Sequence, residues 1–118
     1  MAFKFEKLDI WKEAVDFAIN VYMITGKFPK KEIFGLTSQL NRAAVSVSLN
    51  IAEGMGRSSD ADLIRFINMA IGSLNEVVTV LYIGLKQLYL KESEFKKLYE
   101  RCEVLSKRLH SFKKYLKK

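Results

Sequence analysis

Proline occurs once and glycine six times in 118 residues. With so little punctuation, the chain has room for few turns and must run in long elements. Cysteine occurs once, at Cys102, so an internal disulfide is excluded and a reducing, cytoplasmic setting fits. Histidine also occurs once. His110 has no cysteine or carboxylate at metal-ligand spacing, and no E-x-x-H pair exists, which argues against a metal or cofactor in a helical bundle. Long apolar runs are missing too. The longest, Val77 to Leu85, includes Thr79 and Gly84. It falls far short of the roughly 20 residues that span a bilayer. The opening MAFKFEKLDIW mixes charge with apolar residues, unlike a signal peptide. No membrane association is expected.

What is present is the balance of an ordinary globular domain, with 49% hydrophobic and 28% charged residues. The length suits one domain, residues 1–118, with a modest core. Net charge is +7. From Lys96 to Lys118 nine basic residues face only Glu100 and Glu103, nine minus two, while the other 95 residues carry eleven charges of each sign. Charge gathered at one end of a chain points to a polyanionic partner.

Hydrophobic spacing predicts four helices. The first runs from about Asp9, read as its cap, to Ile24, with Gly26 and Phe28-Pro29 as a stop. The second runs from about Glu32 or Phe34 to Met55. The third runs from about Asp60 to Leu88, capped by Ser59 with Asp62 three residues on. Its main stripe is flanked by Ile64, Met69, Ile71, Val80 and Ile83, so more than one face is apolar. In a small chain, a second subunit is the natural cover for such a helix. The fourth runs from about Glu92 to Leu116, with Phe95, Leu98, Cys102, Leu105, Leu109, Phe112 and Leu116 toward the core. Lys96, Lys107, Lys114 and Lys118 fall on its outer side. Short connections between such helices give an all-α, antiparallel up-and-down four-helix bundle.

The second helix carries the most information. Leu36, Leu40, Ala43, Ala44, Val47, Ile51 and Ala52 form an apolar stripe. Gln39, Arg42, Ser46, Asn50 and Glu53 sit around it, and Glu76 on the next helix adds a further carboxylate. Buried polar groups need partners, so these six residues are read as a structural polar network or an oligomer interface. Glu53 and Glu76 as an acid–base pair is the competing idea. Carboxylates on adjacent helices more often pair with an arginine, here Arg42, and fix register. Cys102 on the core stripe packs as a small apolar residue, and G-M-G-R ends a helix rather than cradling phosphate. No catalytic residue emerges, and the chain is not read as an enzyme.

The outer lysines also have two readings. They keep a helix soluble, or they contact phosphate. The confinement of the excess charge to one segment favours contact through Lys96, Lys107, Arg108, Lys114 and Lys118, with Arg57 from the second-to-third turn. Stacking aromatics are not evident on that face. Phe95 and Phe112 are expected to point inward, leaving Tyr99 and Tyr115 at the margins, so binding should be phosphate-directed and weak in sequence preference.

Several blocks at fixed separations carry a resemblance. They are Leu8-Asp9-Ile10-Trp11, Phe28-Pro29 with Glu32, Gly35-Leu36-Thr37 with Gln39, Arg42-Ala43-Ala44 with Ser46, Asn50-Ile51-Ala52-Glu53-Gly54 with Arg57, and Ala70, Gly72-Ser73-Leu74 with Glu76. Together they resemble the signature of the 23S rRNA-intervening sequence protein family over nearly the whole chain. The resemblance implies a left-handed up-and-down four-helix bundle assembled as a homopentamer. Many members are encoded within insertions in large-subunit ribosomal RNA genes. A related branch, the accessory variability proteins of diversity-generating retroelements, implies nucleic acid and a reverse transcriptase as partners. Two positions depart from the pattern. Ser48 and Leu49 replace a smaller proline or alanine pair, and Lys91 stands at the fourth helix's cap, where fraying is expected. The combined reading is a non-catalytic, oligomeric, RNA- or DNA-binding protein. Its rival is a scaffold that docks a partner polypeptide and uses its lysines only for solubility.

Overall fold

The computed structural model describes residues 1–118, and the chain folds as four helices with no strand. α1 spans Asp9–Thr25, α2 Leu36–Met55, α3 Asp60–Lys86 and α4 Glu92–Leu116. Short 3₁₀ turns at Lys4–Lys7 and Lys30–Glu32 precede α1 and α2. Each helix packs on its neighbours in chain order, and α4 closes the ring against α1. The result is a rod of 44 × 24 × 21 Å around one shared core of 23 buried residues. Phe17, Leu40, Ile51, Ile67, Leu74, Leu81, Leu105 and Leu109 are its largest fully buried side chains.

α2 and α3 make the most extensive contact, because the facing surface of α2 is built from small residues. Ala43, Ala44, Val47 and Gly54 are all buried. Gly54 allows the closest approach, since a β-carbon there would lie 2.8 Å from Leu63 Cδ1 and 2.9 Å from Phe66 Cβ.

Helix entries differ from the sequence expectations in instructive ways. Leu8, extended at φ −84°, caps α1, and Asp9 is its first residue rather than its cap. There the Asp9 charge still favours the helix dipole. The start of α2 is shorter than periodicity suggests. Residues 30–32 form a 3₁₀ turn, from which Glu32 reaches forward and accepts the Leu36 N–H at 3.0 Å. The same carboxylate accepts the Tyr89 hydroxyl at 3.0 Å, tying the α1–α2 connection to the α3–α4 turn. Ser59 caps α3 by accepting the Asp62 N–H at 3.1 Å, as the spacing predicts.

α3 stops at Lys86, two residues before the expected end. Tyr89 N–H bonds the Gly84 carbonyl at 2.9 Å and Leu88 N–H bonds the Leu85 carbonyl at 3.0 Å, a Schellman closure. Leu88 occupies the left-handed position at φ 64°, where glycine is usual. The expected fraying of α4 is overturned. Glu94 accepts the Lys91 N–H at 2.8 Å and also binds Lys27 Nζ at 2.9 Å, which anchors the helix start to the end of α1.

α3 is long and apolar enough by length and composition to cross a bilayer. Its apolar residues are largely spent on the bundle. Val80 is buried, Ile64 and Ile71 are half-buried, and Met69 and Ile83 remain exposed.

Candidate nucleic-acid interface

α4 lies along the outside of the rod, fixed on both flanks. Arg108 Nη1 pairs with Glu13 of α1. Lys113 Nζ donates to Asn68 Oδ1 of α3 at 2.9 Å. Leu98, Cys102, Leu105 and Leu109 are buried beneath it. Burial pushes the Cys102 thiol up to about 12, so this cysteine packs as a small apolar group and is not a nucleophile at neutral pH.

With the helix so fixed, Lys96, Lys107, Lys114 and Lys118 are exposed and make no ion pair. Glu100 and Glu103 fall on the same line at three- and four-residue steps, which sequence reading had counted but not placed. On the first half of the ridge Lys96 is therefore offset by Glu100 and Glu103. Beyond Val104 no carboxylate occurs, and Lys107, Arg108, Lys113, Lys114, Lys117 and Lys118 make that half uniformly basic. Two of these six are tied to neighbouring helices, which leaves four lysines free to meet an anion. Cations in the last turn also stabilise a helix through its dipole, by about 0.3–1 kcal/mol each. That smaller role accounts for Lys113 and Lys114 but not for Lys107.

Arg57 is more committed than expected. Its Nη2 bonds Glu53 Oε1 at 2.8 Å, and its guanidinium carbon lies 4.6 Å from the Phe66 ring centroid. Arg65, held by Asp62 at 3.3 Å, lies 4.6 Å from the same ring. Glu53 thus pairs with Arg57 one turn on, correcting the expected pairing with Arg42, because the i, i+4 partner lies on its own exposed helix face.

Apart from Glu53, the polar residues predicted on α2 and α3 divide into two groups. Ser46 and Asn50 join a hydrogen-bonded set. Ser46 Oγ accepts from Asn50 Nδ2 at 2.9 Å and from Ser73 Oγ of α3 at 2.9 Å. Ser73 was quoted only as part of a motif, and its role required knowing the α2–α3 register. Gln39, Arg42 and Glu76 are exposed and line an open cleft of about 650 Å³ with Phe34, which is 94% exposed. Neither Arg42 nor Glu76 has an ion-pair partner within the chain. A second open surface lies between α1 and α2, where Val15, Ile19, Tyr22 and Val45 line an almost wholly apolar groove of about 360 Å³. Leu49, one of the two departures from the family pattern, is exposed on α2.

The α3–α4 side joins Tyr99, expected only at the margin of the basic face, to Phe95, expected to point inward, and to Tyr82 of α3. Tyr82 packs edge-on against Phe95, with centroids 4.8 Å apart, and Phe95 stacks on Tyr99 at 5.8 Å. Tyr82 comes from a different helix, so no local spacing could have joined it to Tyr99.

A family model described as 23S rRNA-intervening sequence protein matches residues 6–111. No curated protein matches the chain. A similar solved structure is the crystal structure of a protein of unknown function from the S23 ribosomal protein family of Bacteroides thetaiotaomicron. It is 22% identical with a TM-score of 0.80, and the match covers 89% of this chain and 98% of that one. At this identity the likeness concerns the fold.

Proposed function

The chain belongs to the 23S rRNA-intervening sequence protein family, and from that premise we propose that it is a non-catalytic, self-assembling protein that binds RNA or DNA through phosphates. The observation that carries this reading is the α4 ridge, whose free lysines run without a carboxylate from Lys107 to Lys118. Lysine contacts of this kind release counterions, so affinity is expected to fall steeply with salt.

Assembly is the second part of the proposal. The unpaired Arg42 and Glu76 beside exposed Phe34 on the α2–α3 face, and the apolar α1–α2 groove, offer two different surfaces on one protomer. Two different surfaces suit a closed ring of heterologous contacts, which the homopentamer implied by the family resemblance would be. α4 would then face outward, and repetition of its ridge would multiply weak phosphate contacts. Its setting would be cytoplasmic, as an accessory to ribosomal-RNA insertion elements or to a reverse transcriptase.

Filter binding of a structured RNA at low and high salt tests the reading. Salt-sensitive binding supports it. No binding at low salt rejects it in favour of the protein-docking scaffold, which the exposed apolar α1–α2 groove supports.

A further inference from the structure

The α3–α4 side carries a groove of about 540 Å³ whose chemistry differs along its length. Clefts that hold small ligands commonly measure about 300–1,000 Å³, with apolar walls and a few placed polar groups. Here the floor is apolar, formed by Val78 and the buried Cys102. One end is Tyr99, 37% exposed, its ring steadied by Phe95 behind it and by the edge of Tyr82 at 6.4 Å. Along the rims stand Asn75 of α3 and Glu103 of α4, and the far end is closed by Lys107. Asn75, Glu103 and Lys107 have no side-chain hydrogen-bond or ion-pair partner, although Glu103 and Lys107 are one turn apart.

We infer that this groove takes an unpaired nucleobase of a single-stranded segment, stacked on Tyr99, with a flanking phosphate on Lys107. The inference rests on the phosphate-binding reading and deepens it. The ligand must have apolar faces, polar edges and a negative charge set apart from its ring, which is the description of a nucleotide. Tyr99 offers a face for stacking, an interaction open to every base. Glu103 accepts from exocyclic amines, and the Asn75 amide both donates and accepts. Tyr99 and Lys107 stand eight positions apart, a rise of about 12 Å along the helix. Lys107 therefore meets the backbone beside the stacked base and not its edge. Glu103 repels phosphate at the centre of the groove, which keeps the backbone toward Lys107. A duplex keeps its bases stacked inside and cannot use this site, though it can still meet Lys114 and Lys118.

Fluorescence anisotropy with the full chain tests this, using a labelled mixed-sequence RNA strand and the duplex of the same sequence. Wild type is expected to bind the single strand more tightly. Tyr99→Leu should weaken the single strand roughly tenfold or more and leave the duplex unchanged, as expected for one lost base stack. Tyr99→Phe should retain binding. Equal binding of strand and duplex with no response to Tyr99→Leu overturns the groove while the phosphate reading stands. Failure of both nucleic acids to bind at low salt overturns both. Photo-crosslinking of a 4-thiouridine strand to wild type needs no variant. Crosslinks within residues 74–107 support the groove, and crosslinks confined to residues 113–118 refute it.

Discussion

Gly54 of α2 faces Phe66 of α3 so closely that a β-carbon on Gly54 would stand 2.9 Å from Phe66 Cβ. The contact lies where the two helices converge on their connecting turn, and Phe66 in turn carries the guanidinium groups of Arg57 and Arg65. The glycine that ends the Asn50–Gly54 block is thus a packing residue. Gly54→Ala should destabilise the fold by about 1–3 kcal/mol, the usual cost of overpacking a close contact. Urea unfolding with an unchanged midpoint would refute this.

Leu88 presents the opposite case. It holds a left-handed conformation at φ 64° while its side chain is 88% exposed and contributes little to the core. A non-glycine residue pays roughly 1–2 kcal/mol there. Glycine adds freedom to the unfolded chain, which offsets part of the relief. Leu88→Gly should therefore stabilise by about 0.5–1 kcal/mol, seen as a raised melting temperature. A lowered one would mean that Leu88 makes a contact with a partner copy.

The fold should be acid-labile through two glutamates. The Leu36 N–H and then the Tyr89 hydroxyl hold the Glu32 carboxyl below the ordinary 4.5, and the Lys91 N–H and then Lys27 do the same for Glu94. A depressed folded-state value means that the ionised form is favoured by folding. The stabilisation is present above the unfolded value and is lost as pH falls through the folded one. Melting temperature should hold level down to pH 5 or so and drop below it, and Glu32→Gln should flatten that drop. An identical acid slope in wild type and variant would show that these caps do not matter.

Arg108 and Glu13 join α4 to α1 while remaining partly exposed. Ion pairs of this kind are worth about 0–1 kcal/mol. A double-mutant cycle with Arg108→Met and Glu13→Gln should return a coupling in that range. Arg108→Met should also weaken nucleic-acid binding less than Lys114→Met does, because Arg108 already has a partner. A larger loss at Arg108 would place it among the phosphate contacts.

The fold was legible because the signals are local. Apolar spacing marks the α4 limits Glu92 and Leu116, and the Ser59–Asp62 spacing marks the cap of α3. What the sequence hid depends on which helices meet. The Glu32 cap is disguised as the first turn of α2, because its carboxylate acts four residues away on Leu36. Lys91 reads as a poor cap because its side chain has no acceptor, and the helix start is held instead by Glu94 accepting the Lys91 N–H. In the candidate site, the free lysines follow from helical periodicity alone. The commitment of Arg108 to Glu13, 95 residues away, does not, nor does the meeting of Tyr82 with Tyr99.

The central claim, that free lysines on the second half of α4 meet phosphate, is tested most directly by the salt dependence of RNA affinity in wild type and in Lys107→Glu/Lys114→Glu. Each lost phosphate contact lowers the log–log slope by about 0.7–0.9. The account predicts a steep wild-type slope that the double variant reduces by roughly 1.4 to 1.8. Equal slopes in the two proteins would contradict it.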